Sequence, residues 1–106
     1  MRRGEIRWYR FAAPDKQRPV LLLTRDSVLP HLHEVLAVPI SRTVRGLASE
    51  VALGSADGMP QPCALNLDHV SLVSRARVGA LITALRPERW PEVELALRFA
   101  TGFAQA

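Results

Sequence analysis

RPVLLLTRDSVLPHLHEVLAVPISRTVRG, residues 18–46, decides the fold. It reads as two apolar strands joined by a polar connection and followed by a basic loop. Pro19 cannot donate a ladder hydrogen bond and suits a strand start, while Arg18 before it is driven toward extended dihedrals. Val20 to Leu23 is short and continuously apolar, the pattern of a strand covered on both faces. Pro30 breaks the connection Asp26–His33. Strand character resumes from Glu34 to Val38, and Pro39 is expected to end it. Arg18 thus stands at the start of one strand and Ser41 just past the end of the other, a fixed cation beside a hydroxyl. That pair is the candidate active site.

Upstream, EIRWYRF (residues 5–11) has Ile6, Trp8 or Tyr9, and Phe11 at the spacing of a half-buried strand. The turn AAPDKQ, with Pro14 and Asp15, joins it as a hairpin to the 18–26 run. Downstream, Glu50–Leu53 is another short strand, and GSADGMPQP (residues 54–62) is the clearest turn. CALNLDHVSLV (residues 63–73) reads as strand, break near Asp68, strand, and Val78–Leu85 is a further strand. Many short strands separated by turns point to a small barrel or sandwich. The last segment changes period: Val93, Ala96, Leu97, Ala100 and Phe103 recur at helical spacing, with Glu88, Glu92 and Glu94 toward the N-terminal end and Gly102 at the C-terminus. Pro91 predicts a kink, or a helix start close to it.

Composition bounds the rest. The 106 residues suit one domain spanning 1–106, and 48% hydrophobic against 23% charged residues suits a packed core rather than a disordered chain. The formal charge is +4, and Lys16 is the only lysine among 14 basic residues. Arginine suits bidentate recognition of phosphate or carboxylate, so a polyanionic partner fits, as does a merely basic surface. One cysteine, Cys63, excludes an internal disulfide and suits a small core residue. No run approaches the ~20 apolar residues of a membrane span, so no membrane association and a cytoplasmic location are expected.

Five blocks in order carry a resemblance over nearly the whole chain: RGEIRW (3–8), RPVLLLTRD (18–26), VPISRTVRGLASEVAL (38–53), DGMPQPCALNLDHV (57–70) and ARVGALITALRPERWPEVELALRFATGF (76–103). They resemble the MazF/PemK family of toxin endoribonucleases. The resemblance implies a mainly β, SH3-like small barrel of PemK/CcdB type with a C-terminal helix. It also implies a homodimer, cofactor-free and metal-independent cleavage of single-stranded RNA, and restraint by a MazE-like antitoxin. Arg18 matches the family's catalytic arginine, and Ser41 takes the place usually held by its catalytic threonine. Serine keeps the hydroxyl but lacks the methyl that restricts χ1, which predicts looser aim. Many members carry a glutamate in a longer first loop; here that loop is AAPDKQ, with Asp15 as an unproven substitute.

The chemistry supports the pair independently. Metal-free RNA cleavage uses the 2′-hydroxyl as nucleophile, so the enzyme must stabilise extra negative charge on phosphorus and assist proton transfers. An arginine fork suits the first need, acting as an electrostatic clamp because arginine stays protonated, and a hydroxyl can donate to a phosphate oxygen. Arg42, Thr43 and Arg45 follow Ser41 in the basic loop, where they would track RNA phosphates or form a solvated face. Arg25 and Asp26 follow the 18–23 strand as expected groove-wall residues. Asp68 and His69 align with RNA-contacting family positions; His69 either reads a base edge or caps a strand break. His31 and His33 form an HxH pair with no completing ligands, so no metal site is expected. Trp8 or Tyr9 could stack on bases, but at least one belongs to the core. Two other classes share the pattern: a CcdB-like topoisomerase-binding toxin, and a non-catalytic SH3-like RNA-binding module.

Overall fold

The computed structural model describes residues 1–12 and 16–105; the expected turn residues Pro14 and Asp15 lie outside them. Seven antiparallel strands and one helix follow in the order β1 (Glu5–Arg10), β2 (Gln17–Leu22), β3 (Glu34–Ser41), β4 (Glu50–Leu53), β5 (Cys63–Asn66), β6 (Ser71–Ser74), β7 (Val78–Ala84) and α1 (Trp90–Thr101). The strands run β4-β5-β3-β2-β1-β7 across the sheet, and β6 also pairs with β3. This is a small barrel-like fold with a C-terminal helix, although the sheet does not close.

β3 does most to bend the sheet. Its first half pairs with β6 from Glu34↔Ser74 to Ala37↔Ser71, and its last two residues pair with β5 as Ile40↔Leu65 and Ser41↔Ala64. Pro39 therefore does not end the strand as expected. It sits where β3 changes partner and neither β5 nor β6 is laddered to it, while Val20 stands opposite on the other side. A proline is tolerated in a strand where the neighbouring ladder is interrupted.

Both faces of β2 are covered, as its apolar run requires. Leu21 joins a core with Ile6, Val38, Ile40, Leu65 and helix residues Val93 and Ala96. Val20 and Leu22 join a second core with Tyr9, Leu29, Val35, Ala37 and Val73. Burying each such Leu contributes roughly 1.5–3 kcal/mol. Leu29 belongs to a 3-10 turn, Leu29–His31, inside the connection that reads as polar. The aromatic pair of β1 also divides. Tyr9 is buried and its hydroxyl accepts from Ser74 N at 3.0 Å, tying β1 to β6. Trp8 stays partly exposed. The β1–β7 register shifts between Arg7 and Tyr9, so simple alternation cannot assign these faces.

A 3-10 turn at Pro87–Arg89 precedes α1, and Pro91 sits in the helix's first turn, where its missing N–H costs nothing. Gly102, at φ +81°, closes the helix, which leaves Phe103 outside it and 80% exposed rather than on the packed face. No helix among the described residues is long and apolar enough to cross a membrane.

Candidate functional site

The β2–β3 ladder ends outward at Val20↔Pro39. Two residues further along each strand stand Arg18 and Ser41, and both line one groove of about 380 Å³. Its apolar floor includes Ile40, Met59 and Cys63, and its rim carries Lys16, Arg18 and Arg42. No carboxylate lines it among the described residues. Three cations gathered on one rim favour an anion.

Arg18 pairs with Tyr9 across the hairpin through its backbone, so the strand ladder fixes its Cα. Its side chain is exposed, and among the described residues its guanidinium has no ion-pair or hydrogen-bond partner. Ser41 is held by the β5 ladder, and its Oγ accepts from Thr43 N at 3.0 Å. That bond restrains χ1, doing part of the work of the methyl a threonine would carry. It engages only the hydroxyl's acceptor side, leaving the O–H available to donate.

Thr43 and Arg42 also line the groove. The remaining sequence candidates lie elsewhere. Arg25 and Asp26 follow the end of β2 opposite to Arg18 and form no wall of this groove. Asp26 Oδ1 instead accepts from Arg3 N at 2.7 Å. Arg45 N donates to Glu50 Oε1 at 2.9 Å, and Asp68 Oδ2 accepts from Ser49 Oγ at 2.6 Å. His69 Nδ1 lies 3.4 Å from Asn66 Nδ2. Because Glu50 pairs with Asn66, these residues form a second polar cluster at the far end of β5. The loop after Ser41 leads from the groove to it. His31 and His33 stand at and just past the 3-10 turn before β3, and no group of three or more His, Cys, Asp or Glu able to hold a metal ion occurs among the described residues.

Several groove residues escaped the sequence reading. Lys16 and Gln17 sit at the mouth of β2, and Gln61 comes from the turn between β4 and β5. That turn is anchored from behind. Asp57 Oδ2 accepts from Gly54 N at 3.0 Å, and Arg86 Nη2 and Arg89 Nε both lie 3.2 Å from Oδ1. Burial alone would raise the Asp57 pKa, but the Gly54 N–H and the two guanidinia outweigh it and hold the carboxyl below its ordinary value. Gly58 follows at φ +82°, and a Cβ there would come within 2.5 Å of Thr83 Oγ1, so this position needs glycine twice over. Cys63 is buried, and burial, helped by the Asp57 charge, pushes its thiol pKa up, which removes it as a nucleophile.

Residues 2–101 match a family described as the PemK-like, MazF-like toxin of type II toxin-antitoxin systems. A probable endoribonuclease, MazF2 of Mycobacterium tuberculosis, is 41% identical over 103 residues, covering 96% of this chain and 99% of that protein. A second relative from the same organism, probable endoribonuclease MazF5, is 45% identical over 84 residues, covering 74% of this chain and 76% of the relative. Among solved structures, the Mycobacterium tuberculosis toxin MazF-mt6 superposes with a TM-score of 0.86 at 35% identity, over 95% of this chain and 99% of that one.

Proposed function

Because the chain belongs to the PemK-like, MazF-like toxin family, we infer that it is a sequence-selective endoribonuclease that cleaves single-stranded RNA without a metal and is inhibited by a cognate antitoxin. The observation that carries this reading is that Arg18 and Ser41 line one groove with two further cations, Lys16 and Arg42, and no carboxylate among the described residues.

The chemistry follows from those two groups. The 2′-oxygen attacks phosphorus, forming an O2′–P bond as the P–O5′ bond breaks. The 2′-hydroxyl proton leaves to a base or solvent, and the departing 5′-oxygen takes one up. The products are a 2′,3′-cyclic phosphate and a 5′-hydroxyl. Negative charge grows on the non-bridging oxygens during attack, and the Arg18 fork can donate two N–H bonds to them. Ser41 donates its O–H to a non-bridging or leaving oxygen, in an orientation held by Thr43 N. Lys16 and Arg42 take flanking phosphates, and the chain of nucleotides continues along the basic loop, past Arg45, toward Asp68 and His69.

A second copy of the chain and a MazE-like antitoxin complete the reading. Leu36 on β3 pairs directly with Leu72 on β6, and the two are 43% and 59% exposed, an apolar pair suited to burial against another copy. An antitoxin with an acidic, initially disordered segment would suit the basic groove and would compete there with RNA. An RNA target and a lone thiol both fit the cytoplasm.

The test is incubation of the purified chain with a long single-stranded RNA in the presence of EDTA. New 5′-hydroxyl ends at recurrent sites are expected. Intact RNA after hours, with or without added metal, would instead favour the non-catalytic binding module, and capture of a topoisomerase without RNA cleavage would favour the CcdB-like reading.

A further inference from the structure

Two groove residues have no place in the cleavage chemistry. Trp8 stands on β1 opposite Pro19, beside the Tyr9↔Arg18 pair, and is 36% exposed where its neighbour Tyr9 is buried. Among the described residues its indole N–H makes no hydrogen bond, and the part of the side chain left exposed lines this groove. Gln61 lies between Pro60 and Pro62. Pro60 fixes one neighbouring φ, and Pro62 holds Gln61 itself to extended dihedrals, so the side chain is presented from a stiff backbone. Of the two orientations of its amide, the one that satisfies the adjacent groups places the oxygen 3.0 Å from Arg42 Nε and 3.3 Å from Arg42 Nη2. The guanidinium thereby occupies the amide's acceptor and leaves its NH2 group as a pure donor.

We propose that Trp8 and Gln61 form a nucleobase pocket in this groove, Trp8 stacking on the base and the Gln61 NH2 selecting a base with a carbonyl acceptor on its major-groove edge, O6 of guanine or O4 of uracil. The pocket rests on the ribonuclease reading and deepens it. A glutamine with both amide atoms available pairs with adenine, donating to N7 and accepting from the N6 amino group. Here Arg42 holds the accepting half, which removes the adenine pairing and favours the keto bases guanine and uracil. Stacking is indifferent to base identity, so Trp8 contributes affinity and Gln61 contributes the choice.

The experiment digests one long RNA with the parent chain and with Gln61→Ala, Gln61→Glu, Trp8→Phe and Trp8→Ala, and sequences the new 5′-hydroxyl ends. The parent is expected to show guanine or uracil at one fixed position relative to the cut. Gln61→Ala continues to cleave but loses about tenfold of that preference. Gln61→Glu keeps an acceptor for Arg42 yet has no N–H to offer, and loses at least as much. Trp8→Ala lowers kcat/KM about tenfold on every sequence alike, and Trp8→Phe restores most of it. An unchanged cleavage pattern and rate in Gln61→Ala, or adenine as the preferred base, overturns the pocket. If the parent cuts no RNA, the ribonuclease reading fails instead. Equilibrium binding of short oligonucleotides that differ in one keto or amino base then decides the pocket by itself, with equal affinities in parent and Gln61→Ala counting against it. Circular dichroism and Tm of each variant separate loss of contact from loss of fold, and Trp8→Phe keeps the stacking claim testable if Trp8→Ala unfolds.

Discussion

Replacing Arg18 with alanine should separate activity from stability more cleanly than any other single change. The side chain is exposed and carries no ion pair or hydrogen bond among the described residues, and its backbone stays in the β1–β2 ladder after truncation. Surface changes away from such features fall within about 0.5 kcal/mol, so Tm should hardly move. Activity should behave differently. Removing one preorganised donor to a developing oxyanion costs roughly 2.7–4 kcal/mol, or about 10²–10³ in kcat, and Arg18 offers a two-pronged donor with full charge. The expected loss is therefore about a thousandfold. Arg18→Lys keeps the charge and loses the planar fork, an intermediate loss of about ten- to a hundredfold, given ~1.5–3 kcal/mol for a hydrogen bond to a charged group. Single-turnover cleavage of a fluorophore–quencher RNA measures this, with thermal denaturation run alongside. A folded Arg18→Ala chain retaining more than a fifth of the parent rate would refute the clamp.

Ser41→Ala removes both the proposed donor and the acceptor for Thr43 N, and should slow single-turnover cleavage about ten- to a hundredfold, whereas Ser41→Thr should match or exceed the parent. Asp57→Asn removes the buried anion that Arg86 and Arg89 share, leaving them the more exposed Glu88 and Glu92, and should lower stability by roughly 1–3 kcal/mol near neutral pH by chemical denaturation. Because the Asp57 pKa is lowered from 3.8, the stability it contributes is fully present above that value and is lost as pH falls through the folded value. The difference between parent and Asp57→Asn should thus shrink below about pH 3.8 and stay constant above it. Leu72→Glu places a charge on the exposed Leu36–Leu72 pair and should leave the circular dichroism spectrum unchanged while converting a dimer to an 11.7 kDa monomer in sedimentation; a parent that is already monomeric contradicts the dimer. If Lys16, Arg18 and Arg42 each meet one phosphate, log K for an uncleavable single strand should fall against log salt with a slope of about −2, and Lys16→Ala should reduce that slope by about 0.7.

What could be read in the chain, and what could not, follows the range of the interactions involved. The 20–23 run showed a doubly covered strand because burial on both faces removes alternation, and Leu21 on one core with Val20 and Leu22 on the other bears this out. The positions of Arg18 and Ser41 were legible as strand ends for the same local reason. Pro39 misled because the cost of a proline depends on what lies beside it, and the change of partner from β6 to β5 is not written locally. Trp8 and Tyr9 were undecided because a register shift, set by β7 some seventy residues away, reassigns faces midway along β1. Gln61 was missed outright, since its role depends on Arg42 across the groove, and the only local hint was the stiff sequence Pro60-Gln61-Pro62. Arg25 and Asp26 were expected at the groove wall but do not line it, because they follow the end of β2 opposite to Arg18.

Net charge shows the same contrast between count and placement. A formal +4 describes the whole surface, yet many of the arginines are committed to the fold. Arg86 and Arg89 face Asp57, and Arg7 pairs with Glu5 at 2.8 Å. Arg75 and Arg77 donate to the carbonyls of Leu32 and Arg10, and Arg3 lies over the Trp90 ring. Asp57 and Glu5 are satisfied by these partners, at positions away from the Arg18 rim. The cation that matters for an incoming phosphate is one with no internal duty, held by its backbone at a strand end where no carboxylate among the described residues faces it. Arg18 meets that description, and in the proposed reading Ser41, which lines the same groove with its acceptor side engaged by Thr43 and its proton available, shares the phosphate.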